Sequence, residues 1–284
     1  MKKLFLIIAL LVTSGCSYAA CDDLNCVEPY DLSPSIIRFF STLTGQKFLN
    51  EKFGEKLIKK TIKNNIISGK INTDIKSFSA KDLKEGKFKY AKITGKDINI
   101  QGIHISSFEA ETLCEFNYIS ESENGDFIVK EDMPLKINLV ISEEDINNTM
   151  TSTDYKRMID NINNFGGNFN VLNIESTTVK IKDNKMYYVM KYSLPFVRKS
   201  KEIMLSADLK VKNGEVQIAN TKLENSGLSM DVDRFSRVLN YINPLDFSSK
   251  ILENKDAKCK IENVDISDDK VIISGRVTIL KDKD

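Results

Sequence analysis

The sequence holds no tryptophan, one histidine, five prolines and five cysteines among its 284 residues, and each scarcity removes a class of chemistry. With His104 as the only imidazole, histidine-rich metal sites and Ser/His/Asp triads have one candidate at most. His104 stands between Ile103 and Ile105 in an alternating run, where it is expected on the solvent face of a strand. There is no CxxC pair for zinc, no HExxH and no Walker phosphate loop. Gly227-Leu228-Ser229-Met230-Asp231 is close to a nucleophile elbow, but Asp231 occupies the place of the second glycine that the sharp turn needs. Asp231-Val232-Asp233 opens like a calcium loop, yet Ser236 and Ile242 stand where Gly and Glu are required. Glu143-Glu144-Asp145 is the nearest approach to an acid pair; opening a helix, these residues read as partners of its dipole. No catalytic residue, no metal site and no cofactor are expected.

Long apolar runs are equally scarce. The longest, Leu4–Val12, has nine residues, where a membrane span needs roughly 20. Lys2 and Lys3 precede it and small residues follow, so Met1–Ala20 reads as a secretory signal, with Ser17 and Ala19 at the −3 and −1 positions of a cut after Ala19. Export to the periplasm or cell envelope is the expectation. Ser14-Gly15-Cys16 also ends like a lipoprotein box, with Thr13 where such boxes prefer Leu, so a form anchored at Cys16 is the alternative. Cleavage leaves Cys21, Cys26, Cys114 and Cys259, an even number that suits disulfides in an exported chain. Cys21–Cys26 is the expected local pair, and Cys114–Cys259 would staple the middle of the chain to its end; four cysteines nevertheless allow three connectivities.

Charge of one sign is lacking too. Lys and Arg number 41 against 40 acids, and loss of the leader's two lysines leaves 39 against 40. Nucleic-acid binding, which calls for a basic excess or patch, is not expected.

What the chain does have is amphipathic periodicity. Ser33-Pro34 reads as a helix start, followed by Ile36, Ile37, Phe40 and Leu43 at helical spacing. A longer helix is expected from Gln46 to Ile67, with Phe48, Leu49, Phe53, Leu57, Ile58, Ile62, Ile66 and Ile67 along one stripe and lysines opposite. A core-facing helix is the reading preferred over a membrane-surface helix, because Glu51 and Glu55 interrupt the lysines. From Ser77 to Ile119 a ladder of short alternating runs follows, and Gly102 separates two that are out of phase, the mark of a bulge or tight bend. Leu135, Ile137, Leu139 and Ile141 form a strand leading to Ser142, the N-cap of a helix expected to reach about Asn163. Strands then dominate, with turns at Asp183-Asn184 and Asn213-Gly214. A helix over Asp231–Ile242 carries Phe235, Val238, Leu239 and Ile242, and a final hairpin turns across Ser267–Asp269. No linker rich in Pro, Gly or Ser divides the chain, so 21–284 is expected to be a single domain.

Two stretches carry a resemblance. Ile93–Cys114, with its Gly-x-hydrophobic strands, and Pro134–Ser152, where a strand enters a helix through Asp145-Ile146-Asn147, resemble the LmeA-like phospholipid-binding family of secreted bacterial proteins. Together they cover roughly a third of the chain. The resemblance implies an α+β fold: a strongly curved antiparallel sheet wrapped around long amphipathic helices, elongated, with a central apolar cavity. It further implies non-catalytic phospholipid binding, with lipid shuttling as one form of that role, by a monomer that meets the membrane surface peripherally. Lipid contacts are expected from Phe53, Leu57 and Ile62 on the helix and Ile98, Ile100, Ile103 and Ile105 on the strands. Such a site needs no polar chemistry, since an acyl chain of about sixteen carbons gains on the order of 10 kcal/mol on burial. Met150, Met158, Met186, Met190 and Met204 would provide adaptable filler. The same apolar stripes would also build a solid core, which leaves an envelope structural or interaction protein as the alternative, with an unfamiliar hydrolase behind it.

Overall fold

The computed structural model describes residues 24, 26–29, 31–63, 66–121, 127–165, 173–194, 199–224, 238–245 and 257–282. The expected leader, Cys16, Cys21, the turn at Ser122–Asp126, Gly166-Gly167 and Phe235 lie outside them. Five helices are bounded within the described residues: α1 (Ser35–Leu43), α2 (Gln46–Lys63), α3 (Ala80–Lys84), α4 (Glu143–Met150) and α5 (Thr153–Phe165). The strands are β1 (Ser68–Lys76), β2 (Lys87–Phe88), β3 (Tyr90–Ile100), β4 (Ile103–Thr112), β5 (Asn117–Glu121), β6 (Phe127–Val129) and β7 (Met133–Ser142), then β8 (Asn173–Lys182), β9 (Lys185–Ser193), β10 (Lys201–Lys212), β11 (Glu215–Leu223), β12 (Ala257–Ser267) and β13 (Lys270–Ile279).

The architecture is mixed α+β and its paired strands run antiparallel, but the strands divide among three open sheets instead of one wrapped sheet. Six strands pair in the order β1-β3-β4-β7-β13-β12, four in the order β11-β10-β9-β8, and β2-β5-β6 form a small third sheet. Local turn chemistry explains the hairpins. Gln101-Gly102, Asp183-Asn184 and Asn213-Gly214 each place two consecutive residues at positive φ, the geometry that matches strand twist across a two-residue loop. Gly102 is therefore the tight bend of the β3–β4 hairpin, and the change of phase around it is the chain reversing.

Alternation then decides which faces meet. The inward residues of β4, β7, β12 and β13, those of β8–β11, and Ile146, Met150, Tyr155 and Ile159 from α4 and α5 form one continuous buried cluster. Residues 238–241 are helical, and Val238, Leu239 and Ile242 enter the same cluster. The Tyr155 hydroxyl donates to the Ile242 carbonyl at 2.8 Å, which satisfies the one polar atom this ring brings inside. A second, smaller cluster gathers Ile75, Phe88, Val129, Met133, Leu135 and Ile279, and Ile58 of α2 packs against both.

Ser142 caps α4 as expected, in a reciprocal capping box with Asp145. The single helix expected beyond it is instead two, broken at Thr151-Ser152, where Ser152 begins the next turn by accepting from Lys156 N. The helix expected to run to Ile67 ends at Lys63, and Ile67 already donates its N–H to the Asn99 carbonyl beside β1. Cysteine pairing is also corrected. Cys26 bonds Cys114, with Cα atoms 5.4 Å apart across a separation of 88 residues, so neither Cys21–Cys26 nor Cys114–Cys259 forms. Cys259 lies buried in β12, outside that bridge.

Candidate docking surface

Helix α1 is inside out. Ile36, Ile37, Phe39, Phe40 and Leu43 are 41–70% exposed, whereas its one buried residue is Ser41. The sequence reason is the nine-residue pattern SIIRFFSTL, in which the apolar residues fill one broad face and Arg38 and Ser41 lie opposite. The physical reason for the orientation is hydrogen bonding, because the polar face meets donors and acceptors on the body. Ser41 Oγ accepts from Ala80 N at 2.9 Å. Just before the helix, Ser33 donates its N–H to Asp82 Oδ1 and its hydroxyl to Asp82 Oδ2, each at 2.7 Å. Ser79, the N-cap of α3, adds its hydroxyl to Asp82 Oδ2 at 2.5 Å and accepts from Asp82 N. Ser33 thus serves Asp82 instead of capping α1, whose N-cap is Pro34 without a side-chain bond.

Asp82 is fully buried, as are Ser33 and Ser79. Burial raises its carboxyl pKa, but the bonds from Ser79 and Ser33 and the Arg38 charge outweigh that and hold it below the usual carboxylate range. A second anchor is Lys87, buried in β2, which donates to the Asp31 carbonyl at 2.6 Å and pairs with Asp31 and Glu85 at 3.1 Å each. Burial lowers its pKa and the two carboxylates more than restore it, so the ammonium is held charged. With the Cys26–Cys114 bridge, three independent attachments fix the segment that leads into α1.

Helix α2 continues the surface. Phe48 and Leu49 are exposed at its start, contrary to the core-facing stripe expected for them, and Lys52 Nζ lies 5.8 Å from the Phe48 ring centroid. The acids turn toward the body: Glu51 Oε1 accepts from Ser77 N and Ser77 Oγ at 2.6 and 2.9 Å, and Glu55 Oε1 accepts from Ile75 N at 3.4 Å, while the Glu55 carbonyl accepts from Thr73 Oγ1 at 2.9 Å. The result is an apolar surface across α1 and the start of α2, continued along α2 by lysines.

Of the residues expected to contact lipid, the strand set is brought together. Ile98, Ile100, Ile103 and Ile105 flank the Gln101-Gly102 turn and are buried in the main cluster with Ile146 and Met150 of α4. Phe53, Leu57 and Ile62 belong to α2, but their side chains lie outside the described residues. His104 is half-buried: its N–H donates to Thr149 Oγ1 at 2.9 Å and its ring Nε2 is 3.2 Å from Asn99 Nδ2. Asp145 is occupied by Ser142 and by the hydroxyl of Ser106, and Glu143 Oε2 accepts from Ile181 N at 2.7 Å, so two of the three acids opening α4 are structural partners. Among the described residues no three His, Cys, Asp or Glu side chains converge to hold a metal, and no helix is long and apolar enough to cross a membrane.

No protein-family model, curated protein or solved structure matches this chain.

The sequence stripe in α1 was visible, but nothing in it said which side faced the body. The available signal was polar: Ser33 and Ser41 at α1 and Ser77 and Ser79 ahead of α3 are the residues that become buried.

Proposed function

We propose that the protein is a non-catalytic phospholipid-binding protein of the bacterial cell envelope, which meets lipid through the outward face of α1 and the start of α2. The observation that carries this reading is the orientation of α1, hydrogen-bonded to the body through Ser41 with five large apolar side chains turned to solvent. A contiguous exposed apolar surface held by a polar latch is a docking surface. A short helix with bulky apolar residues on one side and basic neighbours suits the interface of a bilayer. The resemblance of Ile93–Cys114 and Pro134–Ser152 to the LmeA-like family supports the same ligand class. The finer expectation of an acyl-chain cavity along Ile98, Ile100, Ile103 and Ile105 belongs to this proposal as well, whereas the surface contact stands without it.

The absence of tryptophan provides the test. Phe40→Trp creates the protein's single indole, and vesicle flotation combined with its fluorescence follows docking at one position. Protein that floats with phospholipid vesicles, with a blue-shifted indole, is the expected result; protein left at the bottom of the gradient with unshifted emission rejects the reading. One observation favours the alternative of an interaction protein: both large sheets share a continuous buried cluster. That reading expects the same face to bind a protein, with no flotation.

A further inference from the structure

The phospholipid reading leaves open which bilayers the surface accepts, and the charges around it differ sharply from those of the chain as a whole. Over the full sequence 41 basic residues face 40 acidic ones, but residues 34–63 hold seven cations and two acids. Glu51 is bonded to Ser77 on the body side, and Glu55 pairs its carboxylate with Lys52 at 2.7 Å, so the outward positive charge of this face rests on the lysines beyond that pair. Lys52, Lys56 and Lys59 stand four, eight and eleven residues after the exposed Phe48, the spacing that stacks positions along one face of a helix. Lys56 is exposed, and Lys59 donates to the neutral amide of Asn72 at 3.3 Å, so its charge is not cancelled there. Resting on the phospholipid reading, we infer that the α1–α2 surface selects anionic bilayers: the α1 side chains enter the interface while the α2 lysines meet phosphate-rich, negatively charged headgroups.

Such attraction is long-ranged only until salt screens it, within a length that falls from about 10 Å at 0.1 M to about 3 Å at 1 M. Each lysine near an anionic surface should contribute about a five-fold gain in partitioning. The experiment compares phosphatidylcholine vesicles with vesicles in which phosphatidylglycerol replaces part of the lipid, for the full chain and for Lys56→Gln/Lys59→Gln. The expected result is tighter binding to the anionic vesicles, about a twenty-five-fold loss in the double variant on those vesicles alone, and a comparable or larger loss for the unchanged protein at high salt. The salt titration needs no substitution and so stands even if the variant folds poorly. Equal binding to both vesicles, insensitive to salt, overturns the selectivity and leaves the phospholipid reading intact. Binding to neither overturns both, and a stable dimer that hides Phe39 and Phe40 would assign the face to a second copy of the chain.

Discussion

Replacing Phe39 and Phe40 together by Ser separates the proposed membrane contact of α1 from any role in folding. The rings are 63% and 56% exposed. A phenylalanine has about 200 Å² to bury, so each ring still offers about 120 Å² to a partner, or about 3 kcal/mol at 25 cal/mol per Å². A ring that reaches only the bilayer interface gains about half of that, which puts the pair near 3 kcal/mol, or about a hundred-fold in vesicle affinity. The same substitutions should change stability by no more than about 0.5 kcal/mol each, as for surface positions generally. Flotation isotherms report the first quantity and urea denaturation of the purified protein the second. If unfolding free energy dropped by about 3 kcal/mol or more per ring, as for a core aromatic, α1 would be part of a folded interior and its orientation as described would be wrong. Unchanged affinity with unchanged stability would remove the helix from the binding surface.

Asp82→Asn retains the shape but turns one acceptor into a donor facing Ser33 and Ser79; a loss of about 2–4 kcal/mol is expected in urea melts. Because the folded carboxyl is held below its usual range, its contribution is complete above about pH 4 and fades as pH falls through the lowered value; acid titration of stability should therefore be shallower in the variant than in the parent. Cys26→Ser/Cys114→Ser opens an 88-residue closure, for which chain entropy predicts a loss of about 4–5 kcal/mol, read as a lowered urea midpoint that reductant reproduces in the parent alone. Gly86→Ala should cost at least about 2 kcal/mol, since φ is +83° and the added Cβ would stand 1.6 Å from the Ile119 carbonyl oxygen; a thermal melt within a degree of the parent would refute that backbone constraint.

How far the sequence reached is clearest from particular elements. Ile203, Leu205, Ala207 and Leu209 alternate, and β10 buries all four; Asn213-Gly214 marks the following turn without error. Local rules suffice there because the side-chain period and the two-residue loop are set by backbone geometry alone. Pairing partners were not legible. β7 joins β4 on one side and β13 on the other, and periodicity identifies a buried face without identifying the neighbour. Cysteine spacing failed for the same reason, since proximity in sequence favoured Cys21 for Cys26 while the fold brings Cys114 within 5.4 Å. The outward turn of α1 was hidden by a premise, that an apolar stripe faces inward. For α1 a buried carboxylate and a cluster of serines decide the orientation instead.

The position of β13 has a consequence for biogenesis. It lies between β7 and β12, paired with β7 from Lys270↔Ser142 to Ile279↔Met133, although among the described residues it is the last strand to leave the ribosome. Until it arrives, β7 presents an unpaired edge with Ile137, Leu139 and Ile141 along it, and the largest sheet is incomplete. Long-range pairings of this kind form slowly. The largest sheet is therefore completed only by the C-terminal hairpin, and a product truncated before Lys270 would expose an adhesive strand edge for proteases to remove.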